Sequence, residues 1–198
     1  MTASILERGL AAKQQEFDGM ERIGQIGGEN LAALGAWVES LALSPTAIRS
    51  RYAPNRLVKG FGIASNLQSL AKGRAQLVRT DAPDDRIRWL GDRLLPGWHS
   101  LLVCGGDTTI HWHRDHGHFA GMAVLVNLGA ACYMERDYER GELKHDLTDG
   151  LVVRINTKLL HQAVPLSTPR YSLTFRHVKP AFLPQVEAAG TTQLTLPV

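Results

Sequence analysis

The sequence predicts an α+β protein built on a jelly-roll core, a double-stranded β-helix, with helices packed on it from the N-terminal side. Three observations predict it. Helical spacing is confined to the first half, the texture changes at Trp98, and eight short β-rich runs follow, separated by Gly, Asp and Pro at roughly ten-residue intervals.

In order, residues 3–20 read as a weakly amphipathic helix. Leu31, Leu34, Val38 and Leu41 then mark a second, which ends before Ser44-Pro45. Ile87, Leu90, Leu94 and Leu95 mark a third, with Asp84 and Asp85 at its N-terminus, where negative charge meets the helix dipole, and Pro96-Gly97 ending it. The expected strands are 100–104, 108–113, 121–128, 132–135, 141–146, 150–156, 162–164 and 171–178. No repeat or flexible linker interrupts them. A mainly helical region 1–97, a catalytic core 98–178 and a C-terminal tail 179–198 are therefore expected to form one domain.

With 198 residues, 44% hydrophobic and 21% charged, the balance is that of an ordinary globular chain. Glu7, Arg8 and Lys13 interrupt the N-terminal apolar residues, so neither a signal peptide nor a membrane span is expected, and a soluble, cytoplasmic protein is. Cys104 and Cys132 sit in apolar surroundings that suit reduced thiols. The net charge of +3 is unevenly spread. Residues 1–48 sum to −3, whereas residues 49–80 carry Arg49, Arg51, Arg56, Lys59, Lys72, Arg74 and Arg79 with no acidic residue. Such a block suits phosphate contacts to DNA or RNA, although a charge cluster is more commonly just a solvated face.

The chemistry-bearing residues lie in the second half. In Ile110-His111-Trp112-His113-Arg114-Asp115, His113 and Asp115 are two apart at a strand end, where alternate side chains share a face. His161 follows the strand 150–156 by a few residues and supplies a third ligand from a distant strand. Two histidines and one carboxylate on one face leave positions open for co-substrate and oxygen, the donor set of non-haem iron(II) oxygenases. A lone His-x-Asp occurs in many proteins by chance, but a second cluster accompanies this one. Arg170 and Arg176 are six apart and face one side of the last strand. An inward arginine needs an anion, either a carboxylate such as Asp146 or Asp149 or a dicarboxylate co-substrate clamped bidentately.

These residues, within 98–178, resemble the catalytic core of the 2-oxoglutarate and iron(II)-dependent oxygenases, and most of all its AlkB branch. Arg170-Tyr171-Ser172-Leu173-Thr174-Phe175-Arg176 is similar to that branch's Arg-x5-Arg strand, and Asn127-Leu128-Gly129 lies in a segment that resembles its central hairpin. The resemblance implies Fe(II) on His113, Asp115 and His161, 2-oxoglutarate on Arg170, and the family's second arginine at Arg176. It also implies oxidation of a C–H or N-methyl group, and demethylation of alkylated nucleobases in DNA or RNA as the family's usual reaction. Two departures stand out. Leu102 and Cys104 occupy the positions of an Asn-x-Tyr pair that helps bind the co-substrate, and Gly117 stands where an acidic residue helps read the base.

Rival readings are a hydroxylase of a small molecule or protein side chain, a cupin-type metalloenzyme in which His111 binds the metal, and a non-catalytic nucleic-acid-binding module using residues 49–80. His116 and His118 are second-sphere candidates, and Trp37, Trp89 and Trp98 are either base-stacking or core aromatics.

Overall fold

A computed structural model describes residues 19–45, 51–66 and 76–189. Among them two antiparallel sheets face each other. The larger has the order β1 (Met20–Gln25), β10 (Leu151–Asn156), β7 (Phe119–Leu128), β12 (Tyr171–Val178), β5 (Ser100–Gly105), β3 (Leu57–Asn66) and β2 (Ser44–Pro45), with β4 (Gln76–Arg79) paired to β3. The smaller has the order β6 (Ile110–His113), β11 (Leu160–Pro165), β8 (Ala131–Asp137) and β9 (Gly141–Leu147). This is the jelly roll expected, and all eight expected core strands are present.

The two faces of the larger sheet carry different cores. Outward, Leu101, Val103, Val124, Val126, Val152, Leu173 and Phe175 pack under Leu34 and Val38 of α1 (Gly28–Ser40) and Ile87 of α2 (Asp85–Leu94). Inward, Ala123, Leu125, Leu151, Val153 and Ile155 meet Ala131, Tyr133 and Leu147 of the smaller sheet. Because β7 is buried on both faces, its sequence reads as an almost unbroken apolar run instead of alternating. The edge strand β9, exposed along much of its length, alternates instead and carries Glu142 and Lys144.

Helix α2 follows its sequence signals closely. Asp84 caps it by accepting from the Arg86 N–H at 2.8 Å, and Arg93 in the last turn opposes the dipole. Gly91 lets the helix approach the sheet, since a Cβ there would lie 2.7 Å from Phe175 Cε1 and 2.4 Å from Trp98 Nε1. Trp98 meets Phe175 edge-on at 5.5 Å and Trp37 packs 5.8 Å from Phe61, so both are core aromatics; Trp89 is exposed, with Arg93 over its ring.

Region 1–97 is not mainly helical among its described residues. It holds α1 and α2 but also β1 to β4, which extend the larger sheet at both ends. The expected helix over 3–20 lies outside the described residues up to 18, and Met20 opens a strand. Strand β3 was hidden by Gly60 and Gly62, which break the apolar alternation; Gly62 has φ +74°, and a Cβ there would lie 2.5 Å from the His99 carbonyl. What makes β3 a strand is its pairing with β5 from Leu57↔Gly105 to Gly62↔Ser100. The expected C-terminal tail begins instead with a 3₁₀ turn, Pro180–Phe182, and α3 (Leu183–Ala189), whose Val186 is buried with Ile63, Leu77, Phe119 and Val178. Both cysteines are free, and no helix among the described residues is long and apolar enough to cross a membrane.

Phe175 joins the larger sheet to α2 and is fully buried. Phe175→Ala is expected to cost about 3–5 kcal/mol, measured as a lower urea midpoint with unchanged slope.

Candidate metal centre

Strand pairing assembles the site. Antiparallel β6 and β11 set His113 opposite His161, and Asp115 follows His113 by two residues, held in place by its N–H donating to the Thr157 carbonyl at 3.0 Å. One donor atom from each of His113, Asp115 and His161 lies within 4.8 Å of the others. His111 is exposed and stands outside this group, which separates the site from the cupin arrangement.

Both imidazoles are oriented by their own strands. His113 Nδ1 lies 2.8 Å from the His111 carbonyl and His161 Nδ1 2.9 Å from the Leu159 carbonyl, distances that place the proton on Nδ1. The free Nε2 atoms then face Asp115 Oδ1, at 3.6 Å and 3.9 Å. Burial would raise the Asp115 carboxyl, but the His113 ring, Arg176 and His161 outweigh it and hold the group well below the usual carboxylate range. Burial, reinforced by His113, pushes the His161 imidazole down, toward its neutral form. A His161 imidazole biased toward its neutral form, an ionised carboxylate and Nε2 atoms converging on it fit a divalent metal bound on one face.

The two arginines face the barrel interior, as their spacing implies, but they do different things. Arg176 Nη1 donates to Asp115 Oδ2 at 3.1 Å, orienting the carboxylate, and its guanidinium lies 4.3 Å from the Phe119 ring centroid. Arg170 is buried and donates from Nε and Nη2 to Asn127 Oδ1 at 3.0 and 2.9 Å. Burial lowers its pKa to about 10, so it stays charged. Neither arginine pairs with Asp146 or Asp149; Asp149 Oδ1 accepts the Gly129 N–H instead.

Sequence reasoning named Asn127 only as part of a hairpin. Its amide locks Arg170 through Oδ1 while Nδ2 donates to the Gly129, Leu147 and Thr148 carbonyls, a role that needs partners from three segments and has no local signature. Tyr133 and Glu135 were also missed. Both are almost completely buried on β8, beside His161, with the Tyr133 hydroxyl and Glu135 Oε2 lacking a hydrogen-bond partner. The remaining histidines divide: His118 is buried, bonded to Ser65 Oγ at 2.9 Å and driven down to about 4 mainly by burial, whereas His116 is exposed and stacked on it. His118 thus ties β3 to the start of β7.

Asp115→Ala is expected to abolish Mn(II) binding and also to lower stability by about 3 kcal/mol, because it strands the Arg176 guanidinium. His161→Ala should abolish Mn(II) binding without stranding that charge. Calorimetric titration and thermal melting of both variants separate the two effects.

No protein-family model matches the sequence, and no curated protein matches it either. Solved structures do match its fold. One is OsALKBH1, at 14% identity and TM-score 0.55, covering 81% of this chain and 99% of that one. Another is the prolyl hydroxylase of Trichoplax adhaerens in complex with a hypoxia inducible factor peptide, at 14% identity and TM-score 0.55, covering 91% and 96%. A third is the non-heme alpha ketoglutarate dependent epimerase SnoN from nogalamycin biosynthesis, at 17% identity and TM-score 0.55, covering 98% and 94%. Together with the two-sheet topology, these likenesses show that the chain has the jelly-roll fold of the 2-oxoglutarate and iron(II) oxygenases.

Proposed function

We propose that this protein is a 2-oxoglutarate- and Fe(II)-dependent dioxygenase that oxidises a C–H or N-methyl group. The observation that carries the reading is the combination, in one barrel, of the His113, Asp115 and His161 donor group with a buried, charged Arg170 that has no carboxylate partner among the described residues. When bound, iron(II) with 2-oxoglutarate supplies the oxidation of a C–H group by dioxygen, with succinate and carbon dioxide as by-products. The chain's own residues provide ligation, alignment and dryness. His113, Asp115 and His161 hold the metal from one side; Arg176 keeps Asp115 ionised and aimed; Arg170, fixed by Asn127, binds a co-substrate carboxylate. The apolar wall of Leu125, Leu151 and Val153 excludes water from one end of the barrel.

For the prime substrate we propose an alkylated nucleobase in DNA or RNA. Hydroxylation of its N-methyl carbon gives an N–CH2–OH group, which breaks its C–N bond to release formaldehyde and leave the N–H. Support comes from where the basic segment runs. Tyr52 accepts the His111 N–H at its carbonyl and lies 5.9 Å from the His113 ring, with the exposed Arg51 stacked over Tyr52. Cationic chain therefore borders the metal mouth. Arg49, Lys72 and Arg74 lie outside the described residues, and Lys59 covers the Phe61 ring instead. The fold shared with the Trichoplax prolyl hydroxylase supports a second reading, hydroxylation of a protein side chain or a small molecule.

Iron-loaded protein given 2-oxoglutarate and oxygen is expected to release succinate, and His113→Ala and Arg170→Ala to lose that turnover. Absence of 2-oxoglutarate binding by the wild type sinks the oxygenase reading. A methylated oligonucleotide is expected to bind with an affinity that falls as salt rises, and charge reversal at Arg51 and Arg79 should reduce the slope by about one unit for each phosphate left without its cation. Binding indifferent to salt and to both reversals removes the nucleobase reading and leaves the protein or small-molecule one.

A further inference from the structure

The cavity between the end of β5 and the start of β6 is lined by two cations. Arg56 and Arg170 both face it, with Cys104, Thr108 and Ile110 between them and no carboxylate among the described lining residues. Pairing of Leu57 with Gly105 brings Arg56, the residue before β3, to this position. Arg56 Nε is buried without a hydrogen-bond partner, whereas Arg170 spends Nε and Nη2 on Asn127 and keeps its remaining N–H groups for the cavity. Arg170 is buried and has given up its hydration, Arg56 is half-buried with its Nε withdrawn from solvent, and two like charges face one cavity. The arrangement becomes favourable when an anion lies between them.

Position and chemistry say which anion. Ile110 precedes His113 by three residues on β6, so the cavity lies roughly 10 Å along the strand from the metal ligands. An extended five-carbon dicarboxylate, chelating metal at one end and touching guanidinium at the other, spans such a distance. A carboxylate accepts about four hydrogen bonds, more than the half-occupied Arg170 can give alone. The nearby β5 position that the oxygenase resemblance assigns to a tyrosine is Cys104, whose thiol is a weak donor.

We propose that Arg56 is a second guanidinium for the distal carboxylate of 2-oxoglutarate, closing on it from the segment before β3 while Arg170 holds it from the start of β12. The inference rests on the co-substrate reading above. It gives one member of the basic block a place inside the co-substrate pocket instead of on a nucleic-acid surface. It also makes Arg56 a specificity residue: it acts on acids that carry a distal carboxylate and leaves simple 2-oxo acids unaffected.

The test is calorimetric titration of the Mn(II)-loaded full chain with 2-oxoglutarate and with 2-oxobutyrate, which keeps the chelating 2-oxo acid end and lacks the distal carboxylate. Arg56→Met is expected to weaken 2-oxoglutarate about tenfold or more, as for loss of a charge-assisted hydrogen bond, and to leave Mn(II) and 2-oxobutyrate affinities unchanged. Arg56→Lys should lose less, because it keeps the charge. Wild-type affinity for 2-oxoglutarate in Arg56→Met overturns the proposal, and so does equal weakening of both acids, which marks a structural effect. If Arg170→Met loses 2-oxoglutarate while Arg56→Met does not, the Arg56 assignment alone falls. If the wild type binds no 2-oxoglutarate, the co-substrate reading falls first and takes this one with it.

Discussion

Because β6 and β11 pair antiparallel with His113 facing His161, two imidazoles from strands almost fifty residues apart reach one point, and the rest of the site is arranged around that register. A slip of one residue would turn every side chain of a strand to its other face and separate the pair. The register is protected from both sides. β8 pairs with β11 from Leu160↔Arg136 to Pro165↔Ala131, and the backbone bond from Asp115 to Thr157 ties the loop after β6 to the loop before β11. The Lys158 ammonium on the His116 carbonyl and the Arg114 Nε on the Lys158 carbonyl close the same two loops on each other. Asp115 is thus positioned by backbone geometry as much as by its own side chain.

The interior of the barrel is graded. At one end it is apolar, where Leu125, Leu151 and Val153 fill the space between the sheets; around β12 it is polar, with Arg170, Ser172 and Arg176 buried along one face of the strand. Buried charge of this kind is costly unless each group is answered. Arg176 is answered by Asp115, whose other oxygen faces the two imidazoles. Arg170 is answered in part, by a neutral amide oxygen of Asn127. The site therefore carries an excess of positive charge on the Arg170 side, away from the His113, Asp115 and His161 group, which suits a small anion.

Much of this was legible in the sequence. All eight core strands were, because short β-rich runs separated by turn residues survive any uncertainty about how they pair; so were α1 and α2, whose apolar spacing and flanking residues are local. The donor group His113, Asp115 and His161 and the inward pair Arg170 and Arg176 were legible because period-two spacing decides which residues share a strand face. Strands β1 and β3 were not. Their identity lies in partners, β10 and β5, and Gly60 and Gly62 remove the alternation that would have marked β3. The role of Asn127 was hidden for the same reason, since its amide serves Arg170, Gly129, Leu147 and Thr148 at once.

The sequence by itself determined the class of fold, the residues able to bind a metal and the inward placement of two arginines, all of which follow from residue type and local periodicity. Only the tertiary structure decided what each of those groups faces. It turned Arg176 onto Asp115, locked Arg170 with Asn127, left His111 outside the metal group, and brought Arg56 from the basic segment into the same cavity as Arg170. The physical reason is that the energy of a buried charge depends on the few atoms within about 4–6 Å of it. Those atoms come from strands that are neighbours in the sheet and distant in the chain.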